Sequence, residues 1–212
     1  NVSSVTAMNN MFEKASVFGK SINTTQNVTM NGSTYTAWNV SMVTNMKSMF
    51  LGASAFNQDI RNWDVSNVTQ MGYLLSGSPF NQPIGNWNVS NVTDMSRMFF
   101  GVTSFNQDIG GWNVSNVTTM FRMFQSAPSF NKEIRGWAVQ TDDNLSYMFL
   151  NATAFKNAYG VDDTPSYNFF NKFVTKSQLQ TVVDAWIADE DAAIITYGDI
   201  NTWDTSAITD MS

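Results

Sequence analysis

The chain has 212 residues, of which 43% are hydrophobic and 14% aromatic, enough for a packed core in one or at most two domains and too apolar for disorder. Charged residues make up only 13% and the net charge is −6, so the basic footprint of a nucleic-acid binder is missing and an anionic membrane surface would repel the protein. With no histidine and no cysteine, Ser/His and Cys nucleophilic catalysis and the usual zinc sites are excluded, and no run of about 18 apolar residues is present to span a membrane.

Most of the chain restates one unit. Tryptophan falls at Trp38, Trp63, Trp87, Trp112 and Trp137, with spacings of 25, 24, 25 and 25. Phe56, Phe80, Phe105, Phe130 and Phe155 form a second column, and Met46, Met71, Met95, Met120 and Leu145 stand eight residues after each Trp. A fixed period of this size marks a repeat architecture, in which each unit buries its apolar face on its neighbours.

In chain order, residues 1–18 read as the second half of a coil: Val2, Val5, Met8, Met11, Phe12 and Phe18 match Val40, Val43, Met46, Met49, Phe50 and Phe56. Met8 and Met46 are 38 residues apart, 13 more than a period, which predicts an insertion within 19–36. Its Asn, Thr, Ser and Gly content reads as a surface loop or short hairpin, with Lys20 to Ser33 deletable without unfolding the array. The coils at Trp38, Trp63, Trp87 and Trp112 are nearly regular. The coil at Trp137 puts Asp142 where Val43, Val68, Val92 and Val117 stood, which predicts a local bulge that turns the carboxylate to solvent.

Residues 1–155 are thus expected to form the repeat array and 156–174 an irregular linker. A helix over 175–193 opens the next unit, and 197–212 starts a further coil with Trp203 as its landmark. Leu179, Val182, Val183, Trp186 and Ile187 give the helix an apolar stripe at i, i+3, i+4, i+7 and i+8, with Thr175 and Gln178 as a capping box. Within one coil the apolar steps fit neither a period of 2 nor one of 3.6. They predict two short extended edges, at 82–87 and 92–95, and then one helical turn at 96–99. The fold class expected is mainly β with short helical turns, about five to six coils of 25 residues stacked at the strand spacing of about 4.8 Å, plus one amphipathic helix near the C-terminus.

The strings WDVSNVTQM, WNVSNVTDMSRMF and WNVSNVTTMFRMF, with their downstream Phe, Asn and Gln, resemble the repeat of BspA-like leucine-rich-repeat surface proteins, bacterial surface lipoproteins among them. The resemblance covers nearly all the chain, most specifically Trp38 to Phe130. It implies a right-handed leucine-rich-repeat-like solenoid, at a cell surface or secreted, used in adhesion and protein binding, and it implies no catalytic residues.

Few residues carry chemistry. Asp59, Asp108 and Glu133 share one repeat position, but Pro83 interrupts the column and it reads as a solvated edge. Calcium is the cofactor to weigh, because Asp142, Asp143, Asp162 and Asp163 offer hard oxygen ligands where the repeat breaks down; ordinary solvated turns explain the same residues. The Trp column in register with Val and Met columns reads as core rather than as a sugar-stacking platform. Asn57, Asn81, Asn106 and Asn131 read as an internal amide ladder, and a Thr column at Thr44, Thr69, Thr93 and Thr118 raises the thought of an ice or mineral surface. Of the Asn-x-Ser/Thr sequons, Asn23, Asn27 and Asn31 in the insertion are the candidates for glycosylation.

Two function classes follow: an extracellular or cell-surface structural and adhesive scaffold, or a carbohydrate-binding surface module. The sequence begins and ends at the same point of the repeat, Asn1 matching Asp204 and Met8 matching Met211, as expected of a segment from a longer protein. The partners expected are end-to-end homotypic contacts or tandem copies, with a host or surface protein or a polysaccharide as further candidates.

Overall fold

A computed structural model describes residues 2, 4–20, 22, 27–30, 33–36, 38–139, 145–170 and 176–190. Within each coil the chain advances by overlapping turns. In the coil at Trp38, the N–H groups of Met49, Leu51 and Ala53 donate to the carbonyls three residues earlier, at 3.1, 3.2 and 3.0 Å. The intervening Met46, Ser48, Phe50 and Gly52 donate at 2.8–2.9 Å to Gln70, Gly72, Leu74 and Ser76 of the next coil. Lys47 N–H is held by Asn45 Oδ1 at 3.0 Å, so every backbone donor from Met46 to Ala53 has a partner, as buried amides require. The pattern recurs from coil to coil, for example with Met95, Arg97, Phe99 and Gly101 donating to Thr119, Phe121, Met123 and Gln125.

This path needs left-handed backbone twice per coil. The first place is Ser48, Tyr73, Arg97, Arg122 and Tyr147, with φ from 52° to 59°; the second is Gly52, Gly77, Gly101, Ser126 and Asn151.

The expectation of a mainly β, right-handed leucine-rich-repeat-like solenoid is therefore corrected. Among the described residues no strand occurs within the coils, which touch instead at isolated single-residue parallel bridges: Ala7 with Asn45, Asn45 with Gln70, Gln70 with Asp94, and Asp94 with Thr119. The physical reason is the succession of turns. A strand needs several successive extended residues, and the turn closed from Trp87 to Ile84 breaks the first stretch read as an extended edge. The second, 92–95, is hemmed between the turn that closes at Val92 and the one that opens at Met95, leaving a single bridged residue, Asp94. The described strands, β1 (Asn27–Met30) and β2 (Ser33–Thr36), form an antiparallel hairpin inside the insertion, pairing Val28 with Tyr35 and Thr29 with Thr34.

The core runs the length of the stack as columns of repeated residues. Phe56, Phe80, Phe105, Phe130 and Phe155 stack face to face with centroids 5.5–6.5 Å apart. A second column, Phe99, Phe124 and Phe149, lies against the first with intra-coil pairs such as Phe99 and Phe105 at 4.0 Å. Met46, Met71, Met95, Met120 and Leu145 are all 0% exposed.

The insertion is anchored at its start. Ile22 occupies the column of Ile60, Ile84, Ile109 and Ile134, is 2% exposed, and its carbonyl accepts the Trp63 indole N–H at 3.2 Å. The extra residues therefore lie between Ile22 and Trp38, and the stretch from Lys20 to Ser33 is not wholly dispensable.

The other end of the array is closed. Tyr147 and Phe149 donate to Thr164 Oγ1 and to the Asp163 carbonyl at 2.8 and 2.9 Å. Helix α1 (Thr153–Tyr159) carries Phe155 onto the Phe column and stops at Gly160, whose φ of 63° ends the helix in the left-handed conformation. Helix α2 (Tyr167–Phe170) sets Phe169 edge-on against Phe149 and Phe155, at 6.1 and 5.9 Å, and buries Phe170. Helix α3 (Lys176–Ala188) has Leu179, Val183 and Trp186 half-buried and Ile187 74% exposed. Thr175, Asp142 and the expected coil at 197–212 lie outside the described residues.

Two outcomes test this account. Trp112→Ala should cost about 3–5 kcal/mol and Trp112→Phe about 1–2 kcal/mol in denaturant melts, the first for the cavity and the second mainly for the lost indole bond. Replacing residues 27–36 with a short Gly-Ser join should leave thermal melting cooperative, whereas Ile22→Ala should cost about 2–5 kcal/mol.

Candidate functional site

The structure draws most of the expected site residues into the framework between coils. Trp63, Trp87, Trp112 and Trp137 are 1–4% exposed, and each indole N–H donates to an Ile carbonyl one coil back: to Ile22, Ile60, Ile84 and Ile109, at 3.1–3.2 Å. Trp38, the first of the column, is half-buried and lies 5.6 Å from Phe12. The Thr hydroxyls turn back to the backbone, with Thr69 Oγ1 donating to the Thr44 carbonyl and Thr93 Oγ1 to that of Thr69, each at 3.2 Å. The Asn column accepts the backbone N–H of its own successor: Asn57 Oδ1 from Asn81, Asn81 from Asn106, and Asn106 from Asn131, at 2.9–3.1 Å.

The sequon asparagines of the coils are also committed. Asn67, Asn91 and Asn116 use their amide nitrogens to reach the carbonyls of Ser41, Ser66 and Ser90 at 2.7–2.8 Å. In the insertion, Asn27 begins β1, and Asn23 and Asn31 lie outside the described residues. The calcium candidates are not brought together. Asp163 pairs with Lys156, which already neutralises its charge, Asp162 is exposed, and Asp142 and Asp143 lie outside the described residues. Among the described residues no three acidic side chains converge as a metal would require.

What the structure assembles instead is a column of arginines and aromatic rings, half-buried at Tyr73, Arg97, Phe121 and Arg122 and exposed at Tyr147. The Arg97 guanidinium carbon lies 5.1 Å from the Tyr73 ring centre and 4.9 Å from that of Phe121. Arg122 lies 4.9 Å from the same Phe121 ring and 5.3 Å from Tyr147. These distances are within the range of attraction between a cation and a ring face. Tyr73, Arg97, Arg122 and Tyr147 hold one repeat position, the first left-handed place of each coil, and Phe121 precedes Arg122 in the same turn. Burial, reinforced by the like charge of Arg122, lowers Arg97 below the usual guanidinium range. Among the described residues neither arginine meets a carboxylate, and the buried Nε of Arg122 and Oε1 of Gln125 have no hydrogen-bond partner. The members of this column vary, so it carries no repeat signature; its one mark in the sequence is that Tyr73, Arg97, Arg122 and Tyr147 stand two residues after members of the Met46 column.

The chain matches the family described as "Mycoplasma protein of unknown function, DUF285" over residues 1–79, 23–109 and 75–164. The chain belongs to this family. No curated protein and no solved structure matches it. Each DUF285 match spans about three coils, and the matches overlap, as they must when one pattern slides along a periodic array.

Within the DUF285 matches, the carboxylate column of Asp59, Asp108 and Glu133 caps turns. Asp59 Oδ1 accepts the Arg61 backbone N–H at 3.0 Å, Asp108 Oδ1 that of Gly110 at 3.0 Å, and Glu133 Oε1 that of Arg135 at 2.8 Å. Gly85 and Gly110 in this turn are forced by close approach: a Cβ would stand 2.4 and 2.5 Å from the carbonyl oxygens of Asp108 and Glu133 in the following coil.

Partial burial by itself would raise the Asp59 carboxyl, but the two bonds from Arg61 and its charge outweigh that and hold the group below its ordinary value. Because the folded state binds this proton less readily than the unfolded chain, the stabilisation is complete above the unfolded value near pH 4. It is lost as pH falls through the lower folded value. Thermal melts between pH 5 and pH 2 should show Asp59→Asn removing a few tenths of a kcal/mol of acid sensitivity, a small effect because the pair is solvent-screened.

Proposed function

We propose that this DUF285 chain is a non-catalytic repeat scaffold, a structural and adhesive module at a cell surface or outside the cell, that associates end to end with further coils of the same kind. The neighbouring coils would come from tandem copies or from separate subunits. The observation that carries the reading is the uneven burial of one column. Met11 is 45% exposed, whereas Met49, Leu74, Met98, Met123 and Met148 in the equivalent place are 0% exposed. Phe12 and Phe18 on the same face are half-buried, while Phe50 and Phe56 are 0% exposed.

Each of those side chains in a later coil is covered by the coil before it. Covering the first coil in the same way removes apolar surface from water, at roughly 25 cal/mol per Å². The backbone of that coil is equally prepared. Ala7, Asn9, Met11 and Glu13 stand where Asn45, Lys47, Met49 and Leu51 accept N–H groups from the preceding coil, so the edge is a template for one more.

The cell-surface placement rests on the resemblance of the WNVSNVT strings to BspA-like surface proteins. The non-catalytic reading rests on the absence of His and Cys and on the use of Asp59, Asp108 and Glu133 as turn caps. A carbohydrate-binding reading built on the tryptophans loses its platform, because Trp63, Trp87, Trp112 and Trp137 are buried.

The test is association as a function of concentration, by light scattering after size exclusion and by negative-stain imaging. The wild-type chain should associate through this face, and Met11→Lys should be monomeric with a melting curve within about 0.5 kcal/mol of wild type, since the residue is already exposed. A wild-type chain that stays monomeric at millimolar concentration, or a Met11→Lys variant that associates equally well, would defeat the proposal.

A further inference from the structure

We propose that the Tyr73, Arg97, Phe121, Arg122 and Tyr147 column is a binding site for the carboxylates of an acidic peptide segment on a partner protein. It is separate from the open face of the first coil and does not depend on end-to-end association.

Three observations converge on these residues. The first is geometry. Phe121 lies within 4.9 Å of both guanidinium carbons, and Tyr73 and Tyr147 cover the outer sides at 5.1 and 5.3 Å. Rings on the guanidinium faces leave the in-plane N–H edges as the groups that remain to be satisfied, and those edges match a carboxylate in bidentate fashion. The second is unmet polarity. In a chain of net charge −6, where Arg61 and Arg135 pair with Asp59 and Glu133, Arg97 and Arg122 have no carboxylate among the described residues. Arg122 Nε, a donor, is buried without a partner in a turn closed by the Gln125 N–H to the Arg122 carbonyl at 3.2 Å.

The third is conformation. At the second left-handed place three coils use glycine, which is at ease there. At the first place the same cost is borne by Tyr73, Arg97, Arg122 and Tyr147, bulky residues for which this backbone is an outlier. Strained residues that retain large polar side chains are a pointer to function.

The chemistry of the partner follows from the size and sign of the patch. Two guanidiniums suit one or two carboxylates. A long polyanion would run past these two cations onto a surface whose overall charge repels it. A short segment carrying only one or two acidic residues avoids most of that repulsion, and the column, crossing successive coils, suits an extended segment.

The probe is a short peptide with two Glu residues spaced by Gly, compared with its Gly and Gln counterpart, titrated by calorimetry into the full chain at about 50 and 200 mM salt. The Glu peptide should bind, at least tenfold more tightly at the lower salt, and the Gln peptide should not. Arg97→Asn and Arg122→Asn are chosen because Asn tolerates the left-handed backbone. Each should weaken the Glu peptide at least tenfold with little change in melting temperature, and Met11→Lys should bind like wild type. Equal binding of the Glu and Gln peptides to the wild-type chain overturns the proposal without any variant, as does unchanged binding by both arginine variants. Sulfated polysaccharide binding in place of the Glu peptide overturns the choice of a protein partner.

Discussion

The structure depends on the transfer of backbone hydrogen bonds from each coil to the next. Four N–H groups of one coil donate to four carbonyls of its successor, and turns within the coil use the donors between them. This leaves little freedom in the period, since a coil one residue too long would misalign the donors. The one 24-residue interval, between Trp63 and Trp87, is taken up in the turn region while Phe56 and Phe80 stay stacked at 6.0 Å. The indole bonds add a second tie, each joining a tryptophan to an isoleucine carbonyl 27 or 28 residues earlier in the regular coils. Burying a ring with a polar edge is favourable only when that edge is satisfied, which makes the Trp and Ile columns one device.

A stack of this kind has two ends with different requirements. At the C-terminal side the chain leaves the repeat and covers its own last coil, with the Asp163 carbonyl in the role of a next-coil acceptor and Phe169 set edge-on against the two phenylalanine columns. Pairing of Lys156 with Asp163 fastens this segment to α1. At the N-terminal side the first described coil offers the same apolar face that every later coil covers. The difference between 45% exposure at Met11 and 0% at Met49 measures what one neighbouring coil does.

Positions along the coil divide labour. Inward positions hold Val, Met, Phe, Trp and Ile with almost no variation in size, because each must fill the space set by its neighbours above and below. Polar positions between coils hold Asn and Thr, whose short side chains reach the adjacent backbone. The first left-handed position, buried at Ser48, half-buried at Tyr73, Arg97 and Arg122 and exposed at Tyr147, is held by neither demand, and its side chain changes from coil to coil. Function on a fixed scaffold is expected at such places, where packing does not dictate the residue.

The sequence by itself determined the period, the columns and the location of the insertion, because stacking identical neighbours imposes identical residues every 25 positions and that regularity is visible without coordinates. It determined that Trp63 or Phe105 belongs in register with its copies, and α3 followed from an ordinary 3.6-residue pattern. Only the tertiary structure decided the backbone path. Positive φ at Ser48, Tyr73, Arg97 and Arg122 leaves no trace in residue types that normally avoid it, and the turn from Ile84 to Trp87 leaves none in an apolar spacing that also suits an extended edge. It also decided that Ile22 belongs to the core, since 13 inserted residues hide its register with Ile60. The arginine and aromatic column was invisible for the opposite reason to the core: its members are joined by stacking between coils, an interaction that tolerates Tyr, Arg or Phe at neighbouring levels and so writes no repeat into the sequence.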